Sequence, residues 1–353
     1  VFQGVSTYPC IIVVNKNVQP ERVKVTKIDS LENLDLPLCV SSSSFEVGIE
    51  QLRISGWTLS DETSSSLLEK IRSSGSPLGK YVNEKIFYGI KTGLNEAFVV
   101  EATTRDRLIS EDSKCEGLLK PFLAGRTIKR YESPRAEKFL VLVPSGWTKI
   151  NSGNSKDKWK WFKEEYPSLA NHLDQFRERC MKRSDQGEYW WELRSCAYYD
   201  EFEKPKMMLP DISLHGNVIL DNERNYCVNT CYLIGSSEKY LLGILNSKLM
   251  TFFYSRLSST YRGGYLRFIY QYLEQLPIRT LDLANEGEKE RHDHIVRLVE
   301  QMLQAKERLA NAKTDAETHR LEIQCQSSDR QIDQAVYELY GLTEEEIKIV
   351  EGK

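Results

Sequence analysis

Over residues 239–273 the chain carries not one aspartate or glutamate, although 28% of all its residues are charged. Five cations (Lys239, Lys248, Arg256, Arg262 and Arg267) and six tyrosines occupy the stretch. Its first half, Tyr240-Leu-Leu-Gly-Ile-Leu-Asn-Ser-Lys-Leu-Met-Thr-Phe-Phe-Tyr254, has the periodicity of a helix apolar on nearly every side. Such a helix has to be surrounded by other elements, so it fixes the centre of a core. The second half, Ser258-Ser-Thr-Tyr-Arg-Gly-Gly-Tyr-Leu-Arg267, is polar and sets two glycines between arginines, which lets backbone N–H groups approach a phosphate with no Cβ in the way. Lys and Arg displace counterions from phosphates, and Tyr and Arg stack on exposed bases, so this half suits a nucleic-acid surface. Composition alone leaves it divided between that reading and an ordinary solvated loop.

A chain of 353 residues with 40% hydrophobic content can bury a large core and is expected to form two units. No run approaches the roughly 18 to 20 apolar residues of a membrane helix, and the first residues lack a signal-peptide pattern, so a cytoplasmic protein without membrane contact is expected. Eight scattered cysteines read as reduced thiols. Cys227 and Cys231 are close but lack the second ligand pair of a zinc site. The net charge of −3 is unevenly spread: residues 281–353 hold 17 acidic and 10 basic side chains, leaving 38 basic against 34 acidic before them. A polyanion should meet the body rather than the tail.

Tyr8-Pro-Cys-Ile-Ile-Val-Val14 has a buried-strand pattern and is expected to pair with Arg22-Val-Lys-Val-Thr-Lys-Ile28 as a hairpin, the two completing a sheet whose other strands lie upstream. A short helix around residues 64–72 precedes Ser73-Ser-Gly-Ser-Pro77, which has linker composition. Strands are expected at Ile86-Phe-Tyr, Ala97-Phe-Val-Val and Phe139-Leu-Val-Leu-Val, helical structure at Leu118 to Leu123, and a helix over 166–183 with Pro167 in its first turn. Beyond Pro277, apolar residues spaced by three or four (Ile295, Leu298, Met302, Ala305, Leu309) describe an amphipathic helix. A partner opens at Thr314-Asp-Ala-Glu317, carries Leu321, Ile332, Val336 and Leu339, and stops at Gly341. Thr343-Glu-Glu-Glu346 caps a short last helix. The fold class is therefore α+β, a mixed α/β body followed by a C-terminal helical hairpin. Its parts are residues 1–30, a connecting segment 31–75, a body 76–280 and a helical region 281–353.

Two further basic segments stand out. Gly125-Arg-Thr-Ile-Lys-Arg-Tyr131 is a dense turn suited to phosphate, and Lys156-Asp-Lys-Trp-Lys-Trp-Phe-Lys163 brackets aromatics with lysines whose stems can cover apolar surface. Enzyme signatures are missing: there is no Gly-x-Gly-x-x-Gly loop after a strand, no Gly-Lys-Ser/Thr and no Gly-x-Ser-x-Gly. His292 and His294 lack a third ligand, and Asp106 with Asp112-Ser-Lys114 only faintly resembles a metal-dependent nuclease pattern, so both read as surface.

Several ordered blocks together resemble the TaqI-like C-terminal specificity domain of type IIG restriction-modification enzymes and adenine-specific DNA methyltransferases. They are Pro77-Leu-Gly-Lys-Tyr-Val82, Gly89-Ile-Lys-Thr-Gly-Leu-Asn-Glu-Ala-Phe98, Thr104-Arg-Asp-Arg-Leu108, Leu119-Lys-Pro-Phe-Leu123, Gly125-Arg-Thr-Ile-Lys-Arg-Tyr131, Leu242-Gly-Ile-Leu-Asn-Ser-Lys-Leu249, Arg262-Gly-Gly-Tyr-Leu-Arg-Phe268, Gln271-Tyr-Leu-Glu-Gln-Leu-Pro277 and Asp333-Gln-Ala-Val-Tyr-Glu-Leu-Tyr-Gly-Leu-Thr343. Thr127 departs from the pattern, standing where relatives commonly have an acidic residue. The resemblance implies a target-recognition domain for double-stranded DNA over residues 76–280. An upstream methyltransferase domain of the same polypeptide would hold S-adenosylmethionine and an Asn-Pro-Pro-Tyr-type motif, and magnesium would be needed if the parent also cleaves DNA. That motif is not in this sequence, and residues 1–30 are similar to the last strands of such a domain. The implied DNA-binding residues are Lys91, Thr92, Arg126, Lys129, Arg130, Arg256, Arg262, Gly263, Gly264 and Arg267, with no catalytic, cofactor or metal residue in this chain. The competing reading is a non-catalytic protein-interaction module that docks through the acidic hairpin.

Overall fold

Four short antiparallel strands divide the interior, in the order Ile219–Asp221, Lys206–Pro210, Cys231–Ile234 and Ile86–Tyr88. Side chains alternate across a strand, so each strand feeds two cores. Met207, Leu209, Ile234 and Ile86 point into one, and Met208, Leu233 and Cys231 into the other. The computed structural model describes residues 10–18, 20–28, 34–49, 52–53, 56–57, 62–258 and 263–352. Its architecture is α+β, as the patterning predicts.

The first core is helical. Residues 240–246 of the helix Lys239–Asn246 are all buried, each large apolar side chain contributing roughly 1.5–3 kcal/mol. Gly243 lets the helix approach the long helix Glu286–Ala310, because a Cβ there would stand 2.9 Å from Val299 Cγ2. The predicted single helix breaks at Ser247, whose hydroxyl accepts from Met250 N at 3.2 Å and starts a second helix, Lys248–Leu257. Helices Glu286–Ala310 and Asp315–Leu339 pack as the expected hairpin, burying Ile295, Leu298, Met302, Ile332 and Val336 in this same core, and Leu321 is buried as well. Thr314 caps the second helix through Glu317 N at 3.2 Å. After Tyr340 the N–H groups of Gly341 and Leu342 close on the carbonyls of Glu338 and Tyr337. The Thr343–Glu346 box caps Glu344–Glu351 in both directions.

The second core lies between the dividing sheet, a second four-stranded sheet and a group of short helices. That second sheet runs Tyr226–Cys227, Leu119–Leu123, Lys138–Val141 and Val99–Glu101, with only the first pair parallel. Lys156 to Lys163 belongs to this packing: Phe162 is fully buried, Trp159 lies 4.6 Å from Trp190 and 4.8 Å from Trp191, and Lys163 covers the Trp159 ring.

Four local expectations are corrected. Residues 10–14 form no strand and expose Ile11, Ile12, Val13 and Val14; Arg22–Thr26 pairs instead with Ser44–Gly48, from Arg22 opposite Gly48 to Thr26 opposite Ser44. Leu119–Leu123 is a strand, not a helix, because its backbone is taken up by Lys138–Val141 and Pro121 would obstruct a helix. Asn95–Phe98 is a helical turn and the strand begins at Val99. The helix over 166–183 is two, Pro167–Asp174 and Arg177–Lys182.

Candidate nucleic-acid interface

Several strands of both sheets meet one another at the same end. Ile86–Tyr88 runs out into Gly89, Leu119–Leu123 into Gly125, Lys206–Pro210 into Asp211 and Tyr226–Cys227 into Val228, and Cys231–Ile234 starts there. The turn at residues 228–230 is the hub. Gly89 N donates to Cys231 O at 3.0 Å, Ile90 N to Cys227 O at 2.8 Å and Asp211 N to Thr230 O at 2.9 Å. Gly89 and Gly125 are obligatory for sterics: a Cβ on the first would overlap the Val228 carbonyl, and on the second would lie 2.5 Å from Thr230 O. Phe268 N in turn donates to Asp211 O at 2.8 Å, and Ile212–Ser213 pairs with Leu266–Arg267, which adds the glycine-rich segment to the cluster.

Lys91, Arg126 and Arg267 are brought to this end on three separate loops, and all three side chains are exposed. The Arg267 carbonyl is fixed by Tyr254 Oη at 2.7 Å and Ser258 Oγ at 3.1 Å. Its charge faces Asp211, whose carboxyl burial pushes up and Arg267 draws down. Gly263 and Gly264 both take φ near +80°, 84° and 79°, in exposed positions. Arg256 is exposed on the last turn of Lys248–Leu257, over the Phe252 ring. Arg262 lies outside the described residues.

The remaining predicted residues are placed differently. Thr92 is buried, with its hydroxyl donating to Asn95 Oδ1 at 2.6 Å. Arg130 turns inward to the Asn246 carbonyl, 2.9 Å, and to Asp329 of the hairpin. Lys129 is exposed on a neighbouring groove of about 990 Å³, shared by Arg126, Arg135, Lys138 and Lys306 with Glu132, Glu137 and Glu307.

Sequence reading missed what holds the loops. Arg183 is buried beneath residues 91–93, donating to the carbonyls of Thr92, Glu192 and Trp190 and lying 4.2 Å from the Phe98 ring. Glu192, fully buried, accepts from the backbone N–H groups of Gly146, Thr148, Glu188 and Tyr189 at 2.9–3.3 Å. Lys206 and Asp221 form a buried pair at 2.5 Å, and Asp221 also takes Asn225 N and Nδ2, which fixes the approach to Tyr226–Cys227. The hub turn was visible only as the spacing of Cys227 and Cys231. Both are buried thiols, and burial together with Cys231 pushes Cys227 well above the usual thiol range.

Other candidate chemistry disperses. Asp106 pairs with Arg105, Lys114 with Glu165 at 3.0 Å, and Asp112 caps the turn at Lys114. Among the described residues no group of His, Cys, Asp and Glu has the makings of a metal site, and no helix is long and apolar enough to cross a membrane.

Residues 120–278 match the TaqI-like C-terminal specificity domain. The type II methyltransferase M.PaeR7I of Pseudomonas aeruginosa is 23% identical over 231 residues, 63% of this chain and 37% of that protein. The type II methyltransferase M.XhoI of Xanthomonas vasicola is 28% identical over 120 residues, 32% of this chain and 22% of its own length. The chain thus spans well under half the length of these relatives. Among solved structures, the type IIL restriction-modification enzyme MmeI, in complex with DNA, shares the fold with a TM-score of 0.50 at 12% identity over 76% of this chain and 35% of its own. The similarity to TaqI-like C-terminal specificity domains thus covers residues 120–278, a little under half of this chain.

Proposed function

We propose that this chain is the sequence-specific duplex-DNA recognition part of a restriction-modification protein. It holds DNA while a methyltransferase domain elsewhere in the same polypeptide methylates adenine at N6. The observation that carries the reading is the convergence of Lys91, Arg126 and Arg267 on loops bound to one hub turn. Three exposed cations on rigid backbone, at the end of two sheets, suit phosphate oxygens, which fix register before bases are read. The matched family and the methyltransferase relatives support the same assignment. S-adenosylmethionine would serve the methyltransferase domain. This sequence has neither an Asn-Pro-Pro-Tyr motif nor a glycine-rich loop after a strand to hold it, and no catalytic role is assigned to these residues. Their part is to grip the flanking duplex so that a base can leave the stack, an extrusion that costs a few kcal/mol.

Anisotropy titration of the chain with a labelled duplex tests the reading. Binding should appear at low salt and weaken steeply as salt rises. No binding in low salt would overturn it.

A further inference from the structure

Beside Lys91 lies a recess of about 250 Å³ lined by Tyr88, Ile90, Lys91, Arg194, Cys196 and Tyr198. Arg194 is the second cation in it, and its surroundings differ from those of Lys91. Asp185 accepts from Arg194 Nη1 at 3.1 Å, and the arginine side chain remains 55% exposed. The two residues flank the antiparallel bridge between Gln186 and Leu193. The turn they stand on is locked by the two buried charges described above, Arg183 and Glu192. The loop carrying Lys91 is seated against the same turn, since a Cβ on Gly93 would stand 3.2 Å from Asp185 Cβ.

A guanidinium has five donors in one plane. When a carboxylate holds one of them, the others are presented in a fixed direction and the pair carries little net charge. That suits a directional acceptor pair better than a diffuse phosphate field. The acceptor pair that matches an arginine fork on duplex DNA is O6 and N7 of guanine in the major groove.

We infer that Arg194, oriented by Asp185, is a specificity-determining residue that reads the edge of a guanine, while Lys91 next to it takes a phosphate. The inference rests on the recognition role proposed above and adds to it a base-reading residue.

The test is selection of duplexes from a pool randomised over the bound region, combined with salt titrations of the chain and its variants. The wild-type chain should enrich a site with a fixed guanine. Arg194→Ala should lose the preference at that one position, with affinity for the best site falling about ten- to a hundred-fold and the salt slope unchanged. Arg194→Lys should keep the charge without restoring the preference, and Asp185→Asn should relax the same position more weakly. Lys91→Ala should instead weaken all sequences alike and reduce the slope by about one. A preference that survives Arg194→Ala, a uniform loss with a reduced slope, or wild-type binding without any fixed guanine would each overturn the inference and leave DNA binding standing. If the wild-type chain binds no duplex, the recognition reading falls and this inference with it.

Discussion

The helical hairpin and the loop end of the sheets are held in place by opposite means. In the hairpin, apolar residues repeat every three or four positions, both long helices are capped by their own neighbours, and the buried face enters one continuous core. At the loop end single buried polar residues do much of the fixing, Arg183 on three carbonyls and Glu192 on four N–H groups, and the Lys206–Asp221 pair plays the same part at the opposite end of the strand Lys206–Pro210. A repetitive apolar face tolerates small losses, because many contacts share the burden. A loop fixed by one buried charge does not, because removing a partner strands the other in a low-dielectric site. The molecule thus places its exposed cations on backbone that is rigid without being regular.

Substitutions distinguish the two modes of anchoring. The largest effect is expected for Lys206→Met, which leaves Asp221 buried without its cation and should cost about 3–5 kcal/mol in urea unfolding; a loss below about 1 kcal/mol would show that single buried charges do not do the fixing outside the hairpin. In the hairpin, Ile332→Ala should cost about 2–5 kcal/mol through the cavity it opens, with the salt dependence of DNA binding unchanged in the folded protein. Thr343→Ala, which opens the capping box of the last helix, should cost about 1 kcal/mol by thermal unfolding.

The smallest effect is a pH dependence. Burial raises the Asp333 carboxyl above its ordinary value, against the pull of the Lys248 N–H. A carboxyl raised in the folded state binds more protons there than in the unfolded chain. Its contribution therefore favours folding at acid pH and is lost as pH rises through the raised value. Asp333→Asn keeps an acceptor for Lys248 N, so it should be modestly more stable than wild type near neutral pH, with the gain fading as pH falls. A gain that persists at low pH would mean that charge is not the cause.

The same contrast explains how much the sequence discloses. Ile295, Leu298, Met302, Leu321, Ile332 and Val336 announce the hairpin by their spacing, and Thr343 with Glu346 announces the cap. Lys91, Arg126 and Arg267 are legible as cations in glycine-containing segments, but their proximity depends on a turn at 228–230 that shows no signal beyond two flanking cysteines. Arg130 and Thr92 look like their neighbours Arg126 and Lys91 in sequence. Only tertiary packing turns them inward, Arg130 to Asp329 and Thr92 beneath its own loop. Residues 119–123 show the reverse: an apolar run too short to carry a period is decided by the strand beside it.

On the proposed reading, the loop end of the sheets, not the hairpin, meets duplex DNA. The most direct measurement is the slope of log K against log salt for three proteins: wild type, Lys91→Ala with Arg126→Ala and Arg267→Ala, and a control with Arg320→Ala and Arg330→Ala on the exposed side of the hairpin. Each phosphate contact contributes about 0.9 to the slope. The loop-end variant should therefore lose between two and three units, roughly 0.9 per contact, and the hairpin control should match wild type. Equal slopes for wild type and the loop-end variant, or a loss confined to the hairpin control, would contradict it.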